Sequence, residues 1–96
     1  MTLVYDSNDK ALKKLTIGFM KMMADNQPDL FNEVLDKHCK SEIEKEVLRL
    51  RYIKDIKFEL IPELLSQQKS LRYVFLLHNK FISEVVYCML SSLEIA

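Results

Sequence analysis

Ninety-six residues leave room for one domain, and a chain of this size buries about two-thirds of its unfolded surface, enough for one core without disulfides or metal ions. With 49% hydrophobic residues, 29% charged residues and zero formal net charge, the composition excludes a disordered chain and weighs against a dedicated strong nucleic-acid binder. One glycine and two prolines exclude a sheet protein, which needs turn residues every ~8–12 positions. The fold class implied is all-α, a small helical domain of four to five helices spanning 1–96.

The first helix is expected from about Asn8 to Ala24, capped by Asp6 or Ser7. Leu12, Leu15, Phe19 and Met22 recur at steps of three and four and form its expected buried stripe. Asp25-Asn26-Gln27-Pro28 is a stop and restart, because proline suits the first position of a helix. The short second helix carries Leu30, Phe31, Val34 and Leu35 on its buried side. Ser41-Glu42-Ile43-Glu44 has the form of a capping box. It opens a third helix with Ile43, Val47 and Leu50 on one stripe and Leu48 and Tyr52 on the flank.

After a break near Lys54-Asp55, the spacing of Ile56, Phe58, Ile61, Leu64 and Leu65 predicts a short fourth helix. The polar link Ser66-Gln67-Gln68 leads to a last helix from about Ser70 to Leu90, roughly twenty residues with an apolar stripe unbroken from Leu71 to Met89. On that helix Leu71, Val74, Phe75, His78, Phe81, Ile82 and Val85 share one face, and Arg72, Tyr73, Leu76, Lys80 and Ser83 share the opposite one. The two cysteines, Cys39 and Cys88, have no paired spacing. With no leader at Met1 and no apolar run near twenty residues, the sequence points to a cytoplasmic chain with reduced thiols and no membrane partner.

Charge is unevenly distributed. Residues 1–48 hold seven lysines and nine acidic residues, a net of −2; residues 49–80 hold seven basic and three acidic residues, a net of +4. Around that basic segment, IEKEVLRLRYIKDIKFELIPELLSQQKSLRYVFLLHNKFI (residues 43–82) resembles the helix-turn-helix of sigma factor region four. It is more similar to the phage late-gene activators of the RinA and ArpU type. The resemblance rests on "LRLRYI" at Leu48–Ile53, on the spaced Phe58, Ile61 and Leu64, and on "LHNK" ending at Lys80. It covers about two-fifths of the chain and implies that the last helix enters the major groove of duplex DNA. Lys69, Arg72, Tyr73 and Lys80 would then contact DNA, with Arg49, Arg51, Lys54 and Lys57 on the phosphate backbone. The segment departs from the family pattern at four places. Asp55 stands where glycine is common, Lys57 where a capping Ser or Thr is usual, Pro62 inside the short helix, and the Ser66–Ser70 link is about two residues longer. These departures predict a displaced or shortened first helix of the motif.

His78 sits mid-stripe on an apolar face, the place of a core histidine with one hydrogen-bonded nitrogen. Cys88 has no base at helical spacing and is expected to be a small core residue. Met20, Met22 and Met23 suit either a core or an adaptable partner surface. The run Glu42/Glu44/Lys45/Glu46 is expected to be a solvated helix face with a capping role. No nucleophile with its base, no phosphate loop and no metal set appears, so neither an enzyme nor a cofactor is expected. Two functions follow: a phage-type transcriptional regulator binding duplex DNA, or a protein-interaction module or inhibitor that docks on a host protein through a degraded helix-turn-helix. The apolar end of the last helix, around Val86, Tyr87 and Leu90, is the expected surface for a homodimer or a partner.

Overall fold

The computed structural model describes the backbone of residues 5–95 and the side chains of residues 10–88 and Ser91. Five α-helices run in the order α1 (Tyr5–Asn26), α2 (Pro28–His38), α3 (Glu42–Tyr52), α4 (Ile61–Leu64) and α5 (Leu71–Ile95), with a 3₁₀ turn at Phe58–Leu60 leading into α4. Among the described residues there is no strand. At about 1.5 Å per residue α5 is roughly 37 Å long, and it sets most of the 43 Å long axis of the molecule.

Local chemistry accounts for most helix boundaries. Pro28 opens α2, where its missing N–H costs nothing. Ser41 caps α3: its Oγ accepts the Glu44 N–H at 3.4 Å and donates to Glu44 Oε1 at 3.3 Å. The reciprocal bond of the capping box thus falls on the hydroxyl rather than on the Ser41 backbone. At the other end of α3 the Ile56 N–H reaches back to the Leu50 carbonyl at 3.0 Å, and the residue just before Ile56 takes the left-handed conformation common at helix ends. Asp55 is that residue, with φ 59°. The first helix begins upstream of expectation, so Asp6 and Ser7 lie inside α1 rather than capping it.

Two apolar clusters share α3 and α5. One gathers Met20 and Ala24 of α1, Phe31 and Leu35 of α2, Leu48 and Tyr52 of α3, and Phe81, Ile82, Val85 and Val86 of α5. The other is smaller: Val47 of α3, Ile61 of α4, Leu65 just after α4, and Val74 of α5. Adjacent residues Val47 and Leu48 therefore look into different clusters, and the expected flank of α3 is as much core as its expected stripe.

The expected stripe of α1 holds at Leu12, which packs on the larger cluster, and is overturned at its other three positions. Leu15, Phe19 and Met22 are 71%, 49% and 57% exposed, while Thr16, Met20 and Ala24 face the core. Thr16 and Ala24 are short, which lets α1 lie close to its neighbours, and the Thr16 hydroxyl is satisfied by donating to the Leu12 carbonyl at 2.7 Å. Pure counting of large apolar residues favoured the wrong side of the helix.

The left-handed residue gives a direct test. A Cβ in that conformation costs roughly 1–2 kcal/mol, with Asp and Asn the best-tolerated exceptions to glycine. Asp55→Gly and Asp55→Ala both lose the exposed contact with Lys21 (3.3 Å). Their difference isolates the backbone: urea melts should show the Ala variant less stable than the Gly variant by about 1 kcal/mol. Equal stability would show that the α3 ending carries no such constraint.

Candidate nucleic-acid interface

The segment that resembles a helix-turn-helix folds into three elements packed on one another: α3, the 3₁₀–α4 unit, and the first half of α5. Val47, Ile61, Leu65 and Val74 form their common core, with Ile43, Leu50, Ile56, Phe58 and Leu77 around it. The expected shortening of the motif's first helix is observed. A single 3₁₀ turn precedes only four α-helical residues, and Pro62 falls in the first positions of α4, where a ring without an N–H is tolerated. The long link that follows is tied down by Glu46, whose carboxylate accepts the Ser66 N–H at 3.2 Å and the Ser66 hydroxyl at 3.0 Å. Glu46 is thus a clamp between α3 and the link rather than part of a merely solvated face. Its neighbour Lys45 bridges Asp36 and Glu42 at 3.0 and 3.3 Å.

Ser70 caps α5 by accepting the Tyr73 N–H at 3.1 Å. The azimuth of α5 is set by its buried side, where Val74, His78, Phe81, Ile82, Val85 and Val86 lie inside. Arg72, Leu76, Asn79, Lys80 and Ser83 consequently project into solvent on the opposite side. No acidic residue stands in the first turn of α5, so the positive end of the helix dipole and Arg72 act together there. Lys69 lies with its ammonium 4.8 Å from the centre of the Tyr73 ring. Tyr73 is half-buried, and its ring is a platform for the Lys69 ammonium. Asn79 was not among the residues placed on this face. Its signal was present in the spacing, since 72, 76, 79 and 83 advance by four, three and four along one side of the helix.

The expected basic set divides in two. Lys69, Arg72 and Lys80 lie on or beside the outer face of α5. Arg49 and Arg51 are half-buried and engaged within the fold. Arg49 Nε donates to Asn32 Oδ1 at 2.9 Å, joining α3 to α2. Arg51 Nη1 donates to the Ile56 carbonyl at 3.1 Å, and its guanidinium sits 4.5 Å from the centre of the Phe58 ring. Lys54 and Lys57 are exposed, but Lys54 shares its shallow groove with Glu42 and Glu46. Glu59 and Glu63 are exposed on the 3₁₀–α4 unit.

Behind the face lies a buried polar pair. Tyr52 Oη and His78 Nε2 are 2.6 Å apart, and their rings stack with centroids 5.6 Å apart. Phe31 packs against Tyr52 at 5.7 Å, Phe58 against His78 at 4.9 Å, and Phe75 against Phe58 at 4.9 Å. Burial, and to a lesser degree Arg51, lower the His78 pKa to about 4; burial also pushes the Tyr52 phenol well above its ordinary value. The imidazole is therefore neutral at physiological pH, as expected of a core histidine. Burial pushes the Cys39 thiol up to about 11, so it is protonated at neutral pH. Cys88, expected in the core, is exposed.

The expected partner surface at the end of α5 is also revised. Val86 is buried in the larger cluster and presents nothing to a partner, whereas Tyr87 is 66% exposed. The Leu90 side chain lies outside the described residues. Among the described residues no helix is long and apolar enough to cross a membrane, and no three His, Cys, Asp or Glu side chains converge on a metal site. Compared with protein-family models, curated proteins and solved structures, the chain matches none.

His78 makes stability depend on pH. The unfolded imidazole takes up a proton near 6.5 and the folded one only near 4. Between these values the unfolded chain binds more protons, so stability is complete above pH 6.5 and falls as pH drops toward 4. The interval corresponds to about 3 kcal/mol. Urea melts from pH 7 to 4 should show this loss in the native chain. The double variant Tyr52→Phe/His78→Leu, which removes both polar partners at once, should lose that part of the slope; an unchanged slope would show that His78 is not its source.

Proposed function

We propose that this chain is a phage-type transcriptional regulator that binds duplex DNA by laying the outer face of α5 in the major groove. The observation that carries the proposal is the division of α5 into a packed inner side and an outer side bearing Arg72, Leu76, Asn79, Lys80 and Ser83 over about three turns. In this reading the Arg72 fork pairs with a guanine edge, the Asn79 amide with an adenine edge, and the exposed Leu76 with a thymine methyl. Lys69 and Lys80 contact phosphates and set the register, joined by Lys57 ahead of the 3₁₀ turn. The similarity of residues 43–82 to sigma factor region four and to phage late-gene activators supports transcription as the setting.

A second reading is favoured by a specific observation. Leu60, Leu64, Phe75 and Leu76 are exposed on the same three-element unit, beside the acidic Glu59 and Glu63. Apolar side chains with acidic neighbours suit a protein surface better than a phosphate backbone. On this reading the unit docks on a host protein.

Fluorescence anisotropy with duplex DNA at low salt separates the two. The regulator reading expects affinity that falls steeply with added salt. Arg72→Ala should cost about 1–3 kcal/mol on a specific site, and Lys69→Ala should weaken all sequences alike. Absence of binding to any duplex at low salt would overturn it in favour of the docking reading.

A further inference from the structure

Among the described residues, nothing covers the outward side of α1 from Leu15 to Met22. Leu15, Phe19 and Met22 are exposed, and Phe19 and Met22 continue into a shallow apolar groove completed by Met23 and by Leu30 of α2. Leu15, Phe19, Met22 and Asn26 follow one another in steps of four, three and four, the spacing of a two-helix seam. Beside this seam stands Gly18, the one glycine of the chain. A mid-helix glycine costs about 1 kcal/mol relative to alanine. Nothing among the described residues requires it, because a Cβ there would meet no atom within 4 Å.

Charge says what covers the seam. Exposed Lys10 and Lys14 stand toward its N-terminal end, and exposed Asp25, whose carboxylate also meets Lys21 at 3.2 Å, toward its C-terminal end, with Asp29 and Glu33 of α2 beyond it. Lys14 and Asp25, eleven residues apart, differ by only about 20° around the helix, so they lie on the same flank. In an antiparallel pair related by a two-fold axis, each flank meets the same flank of its mate. A register that sets Leu15 opposite Met22 therefore brings Lys14 of each helix beside Asp25 of the other. The bare surface at Gly18 then falls near the crossing point, where the missing side chain admits the facing helix. A surface complementary to itself in shape and charge calls for a copy of itself.

We propose that α1 docks antiparallel on α1 of a second copy of this chain, about a two-fold axis near Phe19. The interface does not depend on nucleic-acid binding. It uses a different face from the end of α5, where the sequence alone had placed a dimer.

Sedimentation or light scattering over a range of micromolar concentrations tests the proposal with the full chain. The native protein should show twice the mass of one 11.3 kDa chain. Phe19→Glu should leave only single chains with unchanged helical circular dichroism, and Tyr87→Glu should leave the dimer intact. Gly18→Leu should remove the dimer while raising the thermal midpoint of the single chain. Lys14→Glu and Asp25→Lys should each raise the dissociation constant about tenfold, since symmetry applies each change twice. Mixed in equal amounts, these two variants should associate as well as the native chain, because each then meets an opposite charge. A native chain that stays single at all concentrations overturns the proposal, leaving the seam to a foreign protein. So does a dimer that survives Phe19→Glu, is lost with Tyr87→Glu, or shows no rescue on mixing.

Discussion

A phenol and an imidazole left without partners in an apolar interior would each cost about 1–3 kcal/mol. Tyr52 and His78 avoid that cost only by meeting each other at 2.6 Å, and the meeting fixes α3 against α5. Their position matters more than their strength. On α5, His78 lies between Val74 of the smaller cluster and Phe81 of the larger one, so the pair sits where the two clusters adjoin. Phe31 closes on it from α2 and Phe58 from the 3₁₀ turn. Because α5 is continuous across this point, holding its rotation at His78 also holds the direction of Arg72, Leu76 and Asn79 several residues earlier.

The rest of the helix-turn-helix-like unit leans on the same junction. Its first helix is too short to be stable alone and survives by packing Ile61 and Leu65 against Val47 and Val74. Arg51 braces Phe58, which in turn covers His78. Glu46 fastens the long link after α4. Lys21 of α1 donates to the Tyr52 carbonyl at 3.3 Å and pairs with Asp25 and Asp55, binding the end of α3 to the first helix. Several charged groups that looked available for a ligand thus serve as internal struts. The outer side of α5 retains polar side chains that no such strut requires.

Much of this was legible in the chain itself. The helix order, the proline restart at Pro28, the Ser41 cap and the two faces of α5 follow from periodicity and terminal chemistry, which are local. So does the place of His78, since a histidine inside a long apolar stripe has little choice but to be buried. What local pattern did not supply was the identity of a helix's partner. On α1 both sides are apolar, and only the tertiary fit of short Thr16 and Ala24 decides that the side with Met20 turns inward. Val86 and Cys88, two residues apart on α5, are assigned to inside and outside by the same kind of fit. Arg49 and Arg51 were legible as basic residues but not as struts, because Asn32 and the Ile56 carbonyl come near them only in the folded chain.

If the Tyr52–His78 junction positions α5 for DNA, contact with a duplex should be felt on one side of that helix. Titration of the isotopically labelled protein with a short duplex at low salt, followed by amide and side-chain NMR shifts, measures this directly. The shifts should centre on Lys69, Arg72, Leu76, Asn79 and Lys80, with the Asn79 side-chain amide among those that move. Shifts confined to α1, or none at all, would contradict the assignment of α5 as the DNA-facing element.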